Sequence, residues 1–308
     1  MSDARDYVAA WADLVRRDWT IATPARTDPV AVPSASPACE GVPHCVVISP
    51  HPDDECIQAG WPLRLAREAG WRITNLAVTF GSRQERRFER LRELEAACAR
   101  LGFTLIRLDT SDRLGLDDVT LAGRHGSPDR WQTYRDRLSG LLADLRPDLV
   151  IAPHRDDAHP THRGTHQLLH DALRDLHDAG AALPRTVAHT EYWSPVTEPN
   201  LLVQLDEETV AKMLEALAEH RGEITRNPYH RTLPAWLVDN VRRGSERVLG
   251  AGAGAACGIF GVLLELGRMI EGRWHRDSVG RSLPLTLRAD TTLECKPRVD
   301  RLADRSRQ

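Results

Sequence analysis

Apolar positions along this chain fall into two signatures that take turns: short unbroken runs and longer stretches at helical spacing. Val46-Val47-Ile48 is a run of the buried-strand type, and from Asp53 to Ala69 apolar residues recur with the period of a helix that Gly70 stops. Ile73 to Phe80 repeats the strand signature, Arg86 to Leu101 is a charged amphipathic helix ending at Gly102, and Thr104 to Leu108 is a third strand. Trp131 to Leu145 predicts the next helix, closed by Pro147, and Leu149 to Ala152 predicts a strand that runs into a His- and Asp-rich loop. Thr161 to Ala179 reads as helix, Thr186 to Trp193 and Leu201 to Leu205 as strands, and Glu207 to Arg221 as helix. The succession predicts an α/β fold with a doubly wound, mostly parallel, Rossmann-like sheet, whose ligands bind beyond the C-terminal ends of the strands.

Outside this pattern, Arg5 to Trp19 predicts a short amphipathic helix, and Ala22 to Cys39 is a Pro-, Ala- and Ser-rich linker without periodicity. Residues 1–40 are therefore expected to form a helix and arm, 41–240 the main domain, and 241–308 a C-terminal segment. That segment opens Gly- and Ala-rich, from Gly244 to Gly261, and ends in a charged, weakly patterned tail beyond Arg276. Gly250 to Gly254 is no phosphate loop, because no Gly-Lys-Ser/Thr follows it.

Composition narrows the function. The 308 residues carry 41 basic and 44 acidic side chains, a net charge of -3, which lacks the positive excess of a general nucleic-acid binder. No apolar run approaches the roughly 18–20 residues of a membrane helix, so the expectation is a cytoplasmic protein with no membrane or nucleic-acid partner. Six cysteines stand without C-x-x-C spacing, which argues for reduced thiols over a zinc cluster or a disulfide scaffold.

The first strand ends directly in Ser49-Pro50-His51-Pro52-Asp53-Asp54-Glu55, at the place where such a sheet exposes its ligand crevice. His51 and Asp54 are three apart across a turn, so both can reach one ion while Asp53 points elsewhere in the same pocket. Helix capping would account for one Asp, not for the whole His-Pro-Asp-Asp string. About a hundred residues later a second strand ends in Pro153-His154-Arg155-Asp156-Asp157-Ala158-His159-Pro160-Thr161-His162, bringing imidazoles to the same edge. Hydrolytic zinc sites take three His or carboxylate ligands and leave a fourth position to water. His51, Asp54 and one of these histidines would make that set. His166, His170 and His177, at helical spacing beyond, read as solvated surface residues. A dinucleotide-binding enzyme would need G-x-G-x-x-G where this chain has Pro50 to Glu55.

An apolar strand, Pro-His-Pro-Asp-Asp-Glu, and a distant His-Pro-x-His together resemble the PIG-L or LmbE-like family of zinc-dependent de-N-acetylases, over roughly residues 44–230. The resemblance implies one Zn2+ per chain held by His51, Asp54 and His162, with Asp53 as general base. His159 would stabilise the oxyanion or protonate the leaving amine, and Arg90, three residues before Glu93, would contact substrate. One departure stands out: the second motif usually reads His-x-Asp-His, and Thr161 replaces its carboxylate. Asp156 or Asp157 would have to substitute, or His159 loses its role as an acid.

The partner that this resemblance implies is a small N-acetylated amino sugar. Asp109, Asp112, Asp117, Asp118, Asp156 and Asp157 predict an acidic rim suited to a polyamine-bearing sugar, hence an acetylparomamine-type aminoglycoside intermediate, with Asp112 among the substrate contacts. A glucosaminide thiol precursor, or a sugar-binding protein without catalysis, is the alternative. Trp193 is expected to stack on a sugar face and Trp236 to lie in the core.

Overall fold

The computed structural model describes residues 4–16, 41–252 and 258–293. Helix α1 (Ala4–Arg16) comes first; the predicted linker from Ala22 to Cys39, the charged tail beyond Leu293, and Cys39, Cys257 and Cys295 lie outside the described residues. The main unit opens with β1 (His44–Ser49), α2 (Asp54–Ile57), α3 (Gly60–Ala69), β2 (Arg72–Ala77), α4 (Arg87–Leu101) and β3 (Thr104–Arg107). Helices α5 (Leu121–Gly126) and α6 (Pro128–Leu145) lead to β4 (Leu149–Pro153), α7 (Pro160–Asp178) and β5 (Thr186–Thr190). Then come β6 (Leu201–Leu205), α8 (Glu207–Leu217), α9 (Arg221–Arg226) and α10 (Tyr229–Arg247), followed by β7 (Phe260–Ile270), β8 (Arg273–Arg276) and β9 (Arg281–Leu283).

One sheet runs in the order β3-β2-β1-β4-β5-β7-β6-β9, with β8 paired to β7. The first five of these strands are parallel, and β7 is antiparallel to both β5 and β6. The direction of strand succession reverses between β1 and β4, which pair with Cys45 opposite Leu149. Both predicted motif loops leave the C-terminal ends of these two strands, so the ligand crevice of a doubly wound sheet falls between them.

Strand β1 reads as a continuous apolar run because helices cover both faces of the sheet. Cys45 and Val47 belong to the cluster formed with α3, α4 and α8, whereas Val46 and Ile48 belong to the cluster formed with α6 and α7. Each buried Val, Ile or Leu contributes roughly 1.5–3 kcal/mol relative to exposure, so the strands that carry the motifs are among the best-anchored parts of the molecule. Cys45, Cys56 and Cys98 are free thiols inside this core.

Several elements depart from the expectation. The helix predicted from Asp53 to Ala69 divides into α2 and α3, because Pro62 has no N–H to return to Gln58 and would break a continuous ladder there. Strand β5 stops at Thr190, and the helix predicted from Glu207 to Arg221 closes at Leu217 before α9 begins. Neither α10 nor β7 was apparent in the pattern. The boundary expected at residue 240 falls inside α10, and β7 inserts between β5 and β6, so the C-terminal segment completes the main sheet. Arg64, fully buried, donates to the carbonyls of Gln204, Leu283, Pro284 and Leu287, and Trp61 Nε1 donates to the carbonyl of Ala289 at 2.9 Å. Trp236 packs against the core, as expected.

Candidate metal centre and cleft

After β1 the chain turns sharply, and Asp53, at the head of α2, has φ 112° and ψ -30°, a conformation that costs a non-glycine residue about 1–3 kcal/mol. Three buried groups hold it there. Glu55 accepts the Asp53 N–H at 3.0 Å through one oxygen and bonds His220 Nε2 at 2.5 Å through the other. Arg90 donates to the carbonyl of Pro52 at 2.8 Å. The strained turn separates two adjacent carboxylates: Asp54 turns to the histidines, and Asp53 lines a cleft of about 540 Å³.

His51 Nδ1, Asp54 Oδ2 and His162 Nε2 lie 3.3 Å from one another along every edge of a triangle. Ligand atoms about 2.0–2.1 Å from one tetrahedral ion stand about 3.3–3.4 Å apart. The triangle therefore fits one face of a four-coordinate divalent site, with two imidazoles and one carboxylate as a hard-to-borderline donor set. Two strand ends far apart in sequence meet at this point. In the metal-free protein a proton serves instead: against the effect of burial, Asp54 and Asp157 hold the His162 imidazole up at about 9. Burial pushes His51 down. Asp54 is held below the usual carboxylate range, again against burial, by His162 and His51. Burial, then the adjacent Asp54 charge, raises Asp53 well above it. A bound cation would draw Asp53 back toward the ordinary range.

Asp157 occupies the place that the departure at Thr161 left open. It is 1% exposed, accepts the N–H groups of His159 at 2.8 Å and Trp193 at 3.0 Å, and stands 3.5 Å from His162 Nδ1. This is a carboxylate behind a ligand imidazole, which fixes the ring and strengthens its basicity. Asp156 points outward to Arg155. His159 caps α7, its Nδ1 accepting the Thr161 N–H at 3.2 Å, so its proton resides on Nε2. Burial, with His51 and His162 nearby, holds His159 at about 4. At neutral pH it is an uncharged hydrogen-bond donor, suited to an oxyanion and unsuited to acting as a charged acid.

The cleft brings together His51, Asp53, Asp54, Arg90, His159 and Trp193, while His162 lies buried beneath it. Trp193 is 51% exposed there, a free aromatic face next to the site. Asp112 is not part of the lining; its side chain is 71% exposed, bonded to Thr110 and facing Arg113. The acidic rim assembles only in part: of the six acids, Asp117 and Asp118 line the cleft, and both are paired with arginines. Asp109 is bound to Gly115 N–H and Arg107, Asp117 is paired with Arg87 and Arg113, and Asp118 with Arg130.

Sequence reasoning singled out Arg90 but missed the other arginines that join it on the cleft. Arg86, Arg90 and Arg226 converge on the buried carboxylate of Glu223, and Arg83 is exposed close by in the chain. Gly222 leaves room for Arg86 in this position: a Cβ there would meet the guanidinium at 1.8 Å and push it aside. Glu93 supports the same corner by accepting the Gly222 N–H at 3.1 Å. Exposed Glu89 also faces Arg86, and even with it Arg83, Arg86, Arg90 and Arg226 outnumber the carboxylates of Glu89 and Glu223.

Residues 46–173 match the family described as PIG-L: GlcNAc-PI de-N-acetylase. Among curated proteins, the probable N-acetyl-alpha-D-glucosaminyl L-malate deacetylase 2 of Bacillus cereus is 25% identical over 194 residues, covering 58% of this chain and 83% of that protein. Among solved structures, N,N'-diacetylchitobiose deacetylase from Pyrococcus horikoshii aligns with TM-score 0.52 at 18% identity, covering 88% of this chain and 96% of its own. GalB, the 4-carboxy-2-hydroxymuconate hydratase from Pseudomonas putida, aligns with TM-score 0.55 at 17% identity, over 73% and 96% of the two chains. A deacetylase and a hydratase share this fold, so the architecture alone does not select the reaction; the site must.

Proposed function

We propose, on the premise that this chain belongs to the PIG-L family, that it is a metal-dependent N-deacetylase, hydrolysing an N-acetylated amino sugar to acetate and a free amine. The observation that carries the reading is the equilateral triangle of His51, Asp54 and His162 with Asp53 held beside it. Zinc fits this donor set and, when bound, supplies a water of lowered pKa and polarises the acetyl carbonyl. Asp53, beside the triangle and lining the cleft, accepts the proton of the attacking water and then delivers it to the departing nitrogen. His159 donates its Nε2–H to the oxygen on which negative charge develops. Asp157 keeps both histidines in place, through the His159 backbone and the His162 ring. Arg90 preserves the turn that aims Asp53.

For the substrate, the arginine cluster favours an N-acetylglucosaminide whose other half carries a carboxylate or phosphate, the class to which the acidic glucosaminide of the Bacillus cereus relative belongs. Asp117 and Asp118 on the same cleft keep an aminoglycoside intermediate as the second reading, although arginines already neutralise both. Trp193 offers a face for the sugar ring in either case. Amine release is to be followed from an N-acetylglucosaminyl hydroxy acid, N-acetylparomamine and N-acetylglucosamine in parallel on zinc-loaded protein. The acidic glucosaminide should turn over with the highest kcat/KM. Preference for N-acetylparomamine would transfer the assignment to the second reading, and no amine from any of them would leave the deacetylase reading without support.

A further inference from the structure

His166 and His170 lie one helical turn apart on α7, and the expectation that they are solvated is wrong. They turn inward to His189 on β5, which is 2% exposed. One ring nitrogen from each of the three lies within 4.8 Å of the other two, and the ring centroids are 4.4 to 5.1 Å apart. His166 Nδ1 is 2.9 Å from the carbonyl of Pro153, which can only accept, so that nitrogen carries the proton and Nε2 keeps its lone pair. His170 Nε2 and His189 Nε2 face one another at 3.0 Å. Between two neutral rings only one proton can occupy that gap, and a cation can replace it.

From this geometry we infer a second metal site, built by His166, His170 and His189, for a borderline transition-metal ion of the zinc, nickel or copper class. Three neutral imidazoles are a ligand set such ions accept, with a fourth position left to water. Burial keeps the rings uncharged, His166 at about 4 and His170 at about 3, so the ion displaces no charge-bearing proton. The hydrogen bond from His166 to Pro153 is the outer-shell contact that fixes a ligand imidazole. The neighbouring carboxylates are engaged elsewhere: Asp171 by Arg124, Trp131 and Gln167, and Glu265, opposite His189 on β7, by Arg276. The Trp274 ring closes one side, 4.6 Å from His189, while His166 and His170 are only partly buried and leave a way in. The site is separate from the first triangle, sharing only α7, on which His162 precedes His166 by four residues. An ion here clasps that helix to β5, the strand that leads to Tyr192 against His162.

The test is a count of metal on the full chain. Protein stripped with chelator, saturated with Zn2+ and freed of excess ion should retain two equivalents; H170Q should retain one, H162A one, and the double variant none. Should H170Q fail to fold, H166Q, changing a partly exposed residue, serves in its place. As an independent readout, H162A loaded with one equivalent of Cu2+ should give an electron paramagnetic resonance spectrum with nitrogen hyperfine structure from three imidazoles. Retention of a single equivalent by the parent protein, lost in H162A and kept in H170Q, would overturn the inference, as would a copper spectrum free of imidazole nitrogen.

Discussion

Replacing Asp157 with Asn changes one oxygen into an amide nitrogen and leaves the size of the side chain alone. The carboxylate uses both oxygens, toward the N–H groups of His159 and Trp193, whereas an amide has one acceptor and must turn its NH2 to the other donor. The negative charge 3.5 Å from His162 Nδ1 disappears as well. Loss of an outer-shell carboxylate typically weakens metal binding about 10–100-fold, or about 1.4–2.7 kcal/mol. A second effect opposes it. Asp157 helps hold His162 at about 9 in the metal-free state, so below that pH metal must expel a proton, and D157N lowers this competition. Affinity in the parent protein should therefore climb about tenfold per pH unit up to about 9. The penalty of D157N should be largest near pH 9 and smaller at pH 7. Competition of Zn2+ between the stripped protein and a fluorescent chelator, at both pH values, reads it directly. A folded D157N that binds within twofold of the parent at both would show that Asp157 does not support the ligand.

Three further outcomes follow from the same geometry. D53N should keep its metal at the parent affinity while turnover falls about 10²–10⁴-fold, and parent-level turnover would remove Asp53 as the base. R226A and R83A should each raise KM for an acidic N-acetylglucosaminide about tenfold and leave N-acetylglucosamine unaffected; equal effects on both would mean the cluster is structural. His44 is held at about 4 by burial and Arg72, below the ordinary 6.5. The unfolded chain takes up a proton there below about pH 6.5 and the folded one resists until about 4, so stability falls as pH drops through that window. At pH 5 the difference is roughly 2 kcal/mol, measurable as a shift in urea midpoint that H44Q should lack.

Much of this was legible in the residues. The β-α alternation gave the parallel half of the sheet, because buried parallel strands and amphipathic helices write different periods. That His51, Asp54 and His162 would converge was readable because both motif loops follow strands that meet at the switch point of the sheet. What stayed hidden depends on contacts distant in sequence. Nothing local marks Glu55 and His220 as partners, and Arg86, Arg90 and Arg226 join because α9 brings Glu223 beneath them. Strand β7 was obscured by the Gly- and Ala-rich stretch before it, and α10 by Pro234 inside it. His166 and His170 looked solvent-facing because α7 alone does not reveal that β5 supplies a third imidazole.

Arg64 sets where the chain can be cut. A version ending at residue 280 would remove the Leu283, Pro284 and Leu287 carbonyls, leaving Arg64 only Glu68 and the Gln204 carbonyl, and would take away the carbonyl that the buried indole N–H of Trp61 needs. A shortened chain that keeps these bonds must therefore extend past Ala289, and trimming for crystallisation or fusion should begin only beyond it.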